Sequence, residues 1–273
     1  MTNKKSAFMR VLCLLSFFVA LCLCVSCSGE IEPLPEDDEP APTEGRQIVL
    51  AAYSSDSLDP YRAETMQNRH LLALCYEPLF IIDDEWRAEP CLAQSFSSSG
   101  RVLTVQLRSD AEFWDGSAVT AGDVVYSYDA ARDSGGYGDI FGFIENVEAI
   151  DDDTLSFTFV SDADNNVNFL TVPIVKAQDQ AGEFPVGSGM YFLRRVPDGE
   201  GECIKLYRNP RHRDADSVTL EDIEVAYVDS YEELMYGLNY GLISALCVDL
   251  ENGVTMYKNN IELVSYTTNR MVY

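Results

Sequence analysis

Apolar and polar residues alternate with a period of two along several short stretches of the chain. In "RVLTVQLR", Leu103, Val105 and Leu107 fall on one face and Thr104, Gln106 and Arg108 on the other, which predicts a half-buried strand. "DTLSFTFV" repeats the pattern with Leu155, Phe157 and Phe159, entered from the turn Asp151-Asp152-Asp153, so the two strands are expected in one sheet. "IEVAYV" is a third case, with Ile223, Val225 and Tyr227 on one side, and "QIVLAAY" opens as an apolar strand. Helical spacing appears between them. Ser230 with Glu233 reads as a capping box ahead of the apolar face Leu234, Met235 and Leu238. In "FWDGSAVTAGDVVYSYDAARD", Phe113 and Trp114 are predicted to end a strand and Asp115-Gly116 to make the turn. Thr120 then caps a helix with Asp123 in its first turn and Val124, Val125, Tyr128 and Ala131 as its apolar stripe.

The first residues follow a different logic. Lys4, Lys5 and Arg10 precede an apolar run from Val11 to Val25, shorter than the roughly 20 residues of a membrane span and matching the layout of an export signal. Residues 1–26 are therefore expected to be a cleaved signal peptide. The junction "CLCVSCSGE" resembles the lipobox of bacterial lipoproteins, with Cys24 where Leu is usual, which makes Cys27 the expected lipid-bearing residue; a plain secretory signal is the alternative. Residues 27–45, rich in Pro, Glu and Asp, bury too little apolar surface to offset chain entropy and are expected to form an acidic, disordered tether.

Composition narrows the partners. A net charge of -26, from 45 acidic and 19 basic residues, excludes nucleic acid and direct docking on anionic lipid. Cys75, Cys91, Cys203 and Cys247 follow no zinc spacing, and their number fixes no disulfide pairing. His70 and His212 stand in no metal-binding spacing, and neither a phosphate loop nor a Gly-x-Ser-x-Gly elbow is present. "DADNN" at 162–166 starts like a calcium loop, but Val167 replaces the turn glycine and Pro173 the bidentate Glu. No catalytic set, metal site or cofactor is expected. Asp37-Asp38 and Asp83-Asp84 read as tether and turn.

Six blocks then occur in a telling order: "YEPLF" (76–80), "EPCLAQSF" (89–96), "LTVQLRSDAEFWDGSAVTAGDVVYSYD" (103–129), "VEAIDDDTLSFTF" (147–159), "VGSGMYFL" (186–193) and "LYRNPRH" (206–212). Their order and spacing resemble the family 5 extracellular solute-binding proteins, the peptide, oligopeptide and nickel receptors of ABC importers. The chain departs from that family at Gly187-Ser188-Gly189-Met190-Tyr191, where Gly-Thr-Gly-Pro-Tyr is usual, after Pro210, and at Gly241-Leu242-Ile243-Ser244. The resemblance implies an α/β, type II periplasmic-binding-protein-like clamshell. Residues 46–85 and 165–273 are then the core of the first lobe and 86–164 an inserted subdomain; the family's usual length implies that the second lobe is missing. It also implies a peptide or similar solute bound at Ser54, Ser55, Asp56 and Ser57 through free backbone donors, with Tyr61 and Tyr137 as aromatic lining. The implied partners are an ABC permease and, through Cys27, the outer face of the cell membrane. A surface sensor of the same fold without a transport role is the alternative.

Overall fold

The computed structural model describes residues 47–83, 85–163, 166–177, 182–199 and 201–246; the signal peptide, the tether, Cys27 and Cys247 lie outside these. Strand β1 (Val49–Tyr53) leads through a loop to helix α1 (Met66–Leu72), then to the hairpin β2 (Phe80–Ile82) and β3 (Ala88–Pro90). Next come β4 (Ala93–Ser99), β5 (Val102–Leu107), helix α2 (Ala121–Arg132), β6 (Ile144–Ala149) and β7 (Thr154–Phe159). Strands β8 (Tyr191–Asp198), β9 (Gly201–Arg208) and β10 (Asp222–Val228) and helix α3 (Tyr231–Asn239) follow.

The strands form two four-stranded sheets, in the orders β1-β10-β9-β8 and β4-β5-β7-β6. In the second, Leu103 lies opposite Phe157 and Val105 opposite Leu155, so the two alternating patterns seen in the sequence zip together on one face. Leu103, Val105, Leu155, Phe157 and Phe159 are fully buried. The stripe of α2 closes over them: Val124, Tyr128 and Ala131 have no exposure, and the Tyr128 ring meets Phe157 edge-on at 5.2 Å. Thr120 and Asp123 cap α2 reciprocally, the Thr120 hydroxyl accepting from the Asp123 amide and the Asp123 carboxylate from the Thr120 amide.

In the first sheet β1 runs parallel to β10, and Ala51 and Ala52 are both fully buried because the sheet is covered on two sides. Ala52, Ile204, Leu206, Ile223 and Val225 join the main core, while Ala51 and Val228 pack with Leu234 of α3 and Ile243.

Three sequence expectations are corrected. Phe113 and Trp114 end no strand: β5 stops at Leu107, and Glu112 and Ala118 form one isolated antiparallel bridge around the turn in which Gly116 adopts φ 90°. Phe113 is fully buried and Trp114 stacks on Phe192 at 4.8 Å, so the loop is pinned by packing as well as by a few main-chain bonds, among them Phe113 N–H to Ser117 O (2.8 Å) and Trp114 N–H to Gly187 O (3.0 Å). Tyr227 is exposed, unlike Ile223 and Val225, because β9 pairs with β10 only as far as Val225 and leaves Tyr227 without a strand partner on that side. Glu233 reaches past Ser230 to accept from the Asp229 amide, so the predicted box at α3 closes one residue earlier.

Candidate functional site

The segment after α1 is where the separated motifs meet. Gly187 and Gly189 run against the backbone of Leu74 and Cys75, with the Gly189 amide donating to the Cys75 carbonyl at 2.9 Å and the Tyr191 amide to that of Leu74 at 3.0 Å. A side chain at Gly189 would put its Cβ 2.5 Å from the Cys75 carbonyl carbon, which no packing adjustment permits. Asn209, fully buried, locks this segment from the other side: its amide donates to Met190 O (2.8 Å) and its side chain to Gly189 O (2.9 Å). The Gly-x-Gly and Asn-Pro blocks are thus one structural knot.

Asn209 also turns the chain so that His212 and Arg213 face Glu77. Arg213 Nη2 lies 2.6 Å from Glu77 Oε1, and His212 Nε2 3.2 Å from the same oxygen. His212 Nδ1 accepts from the Asp214 amide at 3.1 Å, so its ring proton sits on Nε2 and is donated to Glu77. Burial alone would raise the Glu77 pKa, but the hydrogen bonds from His212 and Arg213 and the guanidinium charge outweigh it and hold the carboxyl at about 2. Cys91 Sγ completes the cluster at 3.4 Å from Glu77 Oε1. Burial, and then the Glu77 charge, push its thiol up to about 12, so it stays protonated. Cys75, Cys91 and Cys203 are all unpaired.

This cluster lines a cleft of about 420 Å³, within the usual range of small-molecule pockets of about 300–1,000 Å³. Its walls are largely apolar, from Leu72, Tyr76, Pro78, Ile81, Pro173 and Met190, and Arg69, Pro60 and Tyr137 stand with them. Within the cluster the Glu77 carboxylate is neutralised by Arg213. Among the described residues no group of three or more His, Cys, Asp or Glu side chains is arranged to hold a metal.

Of the residues expected from sequence to bind the solute, Tyr137 alone lines this cleft, from the glycine-rich loop between Gly135 and Gly138. Tyr61 sits behind it. The ring is buried and its hydroxyl donates to Pro173 O at 3.0 Å, bracing a wall residue. Ser54, Ser55, Asp56 and Ser57 are outside the cleft lining, and the expectation of free backbone donors there is corrected. The Ser54 amide continues the ladder to Val228 O, that of Asp56 bonds Tyr53 O, and that of Ser57 bonds the Asp56 carboxylate; Ser55 keeps the one amide of the four with no partner among the described residues. Asp56 organises the loop instead: its carboxylate also accepts from the amides of Glu64 and Thr65 and from the Thr65 hydroxyl at 2.6 Å. Sequence reading missed Glu77, His212, Arg213 and Arg69, since no local pattern joins them.

The profile of the family described as bacterial extracellular solute-binding proteins, family 5 (middle portion), matches residues 87–272. The glutathione-binding protein GsiB of Escherichia coli is 29% identical over 163 residues, which is 54% of this chain and 32% of that protein. The murein tripeptide binding protein MppA of Escherichia coli superposes with a TM-score of 0.61 at 22% identity, over 73% of this chain and 45% of its own. OppA of Burkholderia pseudomallei does so with a TM-score of 0.59 at 20% identity, over 72% and 45%. The chain therefore spans about a third of the curated relatives it matches and under half of these solved structures. The likeness establishes the type II periplasmic-binding-protein fold, and these relatives are binding proteins, not enzymes. With its profile matched across more than half of the chain, the protein belongs to the family 5 bacterial extracellular solute-binding proteins.

Proposed function

We propose that the protein is the solute-binding component of an ABC importer, held at the outer face of the membrane by lipid on Cys27, and that it captures peptides or related small solutes for a permease. The observation that carries this reading is the cleft of about 420 Å³ with apolar walls, a neutralised Glu77–Arg213–His212 floor and Tyr137 at its side. Apolar walls with few fixed polar groups suit a solute with an apolar body and a polar end. The names of the relatives, a glutathione-binding and a tripeptide-binding protein, support a short peptide. In this reading residues 46–85 and 165–273 form the core of the first lobe and 86–164 its insert. The sheet β4-β5-β7-β6, drawn from residues 93–159, supports that division. Ser54 to Ser57, outside that lining, are proposed to meet the solute through the Ser55 amide, the one of the four without a partner among the described residues.

Among the described residues no helix is long and apolar enough to cross a membrane. Lipid on Cys27, suggested by the leader and the Ser-Cys-Ser-Gly junction, is the anchor proposed, and two acyl chains suffice for stable attachment. The test has two readouts. Cys27→Ala moves the protein from the membrane to the soluble fraction, and mass spectrometry of what copurifies with the folded chain finds an unaltered small peptide. A variant that stays membrane-bound overturns the anchor; a chain that binds a sugar and no peptide in calorimetry overturns the solute class.

A further inference from the structure

The geometry points to Arg69 as the anion-recognising residue of the cleft, and hence to a solute that presents a carboxylate to it; we propose this on top of the receptor reading, on which it rests. In a chain with 45 acidic residues, Arg69 lines the cleft and makes no ion pair among the described residues. The other cleft arginine, Arg213, is neutralised by Glu77 at 2.6 Å. Arg69 is nonetheless held in place. Its Nε donates to Ala63 O at 2.9 Å, and its guanidinium lies against Gly136, where a Cβ would fall 2.7 Å from Nη2. Glycine at 136 is what leaves room for it.

One of five N–H donors is therefore spent on orientation, and the donors on Nη1 and Nη2 have no partner among the described residues. A guanidinium so fixed presents a fork matched to the two oxygens of a carboxylate, and little side-chain entropy is lost when the pair forms. Tyr137, next to Gly136 and lining the same cleft, feels the charge: burial raises its phenol pKa and Arg69 opposes that rise. The apolar walls take the rest of the solute. A carboxylate at Arg69 would come from a peptide C-terminus or from an acidic side chain, and the test separates the two.

The 273-residue chain is titrated by calorimetry with one tripeptide of apolar residues in three forms: free C-terminal acid, C-terminal amide, and amide with Glu at one position. The Arg69 guanidinium resonance is followed by nitrogen NMR, assigned through Arg69→Lys. A charge-assisted pair predicts that the free acid binds about tenfold tighter than the amide, with the Arg69 signal shifting. Recovery of affinity by the Glu-bearing amide assigns the site to side-chain carboxylates; failure to recover assigns it to the C-terminus. Arg69→Gln is expected to erase the difference between acid and amide. Equal binding of acid and amide with an unmoved Arg69 signal overturns the inference and leaves the receptor reading standing. Absence of binding by all three forms overturns the peptide reading and the inference with it. Should Arg69→Gln fail to fold, the resonance of the unsubstituted protein decides.

Discussion

Arg213 Nη2 stands 2.6 Å from Glu77 Oε1, and both side chains are largely withdrawn from water. Such a pair is expensive to break from one side, because the surviving partner is left charged and desolvated. Glu77 also receives the Nε2 proton of His212, so one carboxylate ties the chain after α1 to the Asn-Pro turn after β9.

Acid sensitivity follows. The folded Glu77 carboxyl is held at about 2 against an ordinary value of 4.5, so the stabilisation is fully present above about pH 4.5 and is lost as the pH falls towards 2. Over that window the shift corresponds to about 3 kcal/mol. Urea denaturation at a series of pH values is expected to show the loss, and Glu77→Gln to flatten it while lowering stability at pH 7 by about 3 kcal/mol. A variant that keeps the same acid slope would assign the slope to other carboxylates.

Gly189→Ala tests the knot beneath the cleft. The added Cβ would sit 2.5 Å from the Cys75 carbonyl carbon, and both segments are held by main-chain hydrogen bonds, so neither yields cheaply. We expect a loss of about 3 kcal/mol. Gly135→Ala, with nothing within 4 Å of the new Cβ, serves as the control and is expected to shift the urea midpoint little.

The strands were readable because alternation records which face is buried, and the faces Leu103/Val105/Leu107 and Leu155/Phe157/Phe159 came out as read. Thr120 and Ser230 were readable because caps are local. The cleft was not, because Glu77 and His212 are 135 residues apart and His212 has no partner at metal spacing to mark it. Ser54 to Ser57 misled for a related reason. Small polar residues at a strand end read alike whether their amides face a solute or, as for Ser54 and Ser57, are already bonded within the fold.

Thr120→Ala removes half of the reciprocal cap of α2, leaving the Asp123 amide only the Thr120 carbonyl at 3.1 Å and the Asp123 carboxylate fewer donors. The expected cost is about 1 kcal/mol. The helix also carries Ser127, whose hydroxyl accepts from the Val175 amide at 3.0 Å, so weakening its start is expected to speed amide hydrogen exchange at Val175 and Ala177 as well. A stability change confined to the first turn of α2, with those two amides unaffected, would show that the cap and the 175–177 segment are independent.

Tyr137→Phe separates binding from folding. The ring packs against the main core from a glycine-rich loop, and its backbone is held by the Ser134 hydroxyl at 3.2 Å, but the phenol makes no hydrogen bond among the described residues. Deleting that oxygen therefore removes nothing the fold uses, and the urea midpoint is expected to move by no more than about 0.5 kcal/mol in free energy. A solute seated in the cleft beside Arg69 has the phenol within its reach. A neutral hydrogen bond contributes about 1 kcal/mol net, so affinity for the peptide is expected to fall about fivefold. Calorimetry on both proteins at equal pH reads the change directly. Unchanged affinity together with unchanged stability would place the Tyr137 hydroxyl in solvent in the complex, and would leave the ring alone as the group that faces the solute.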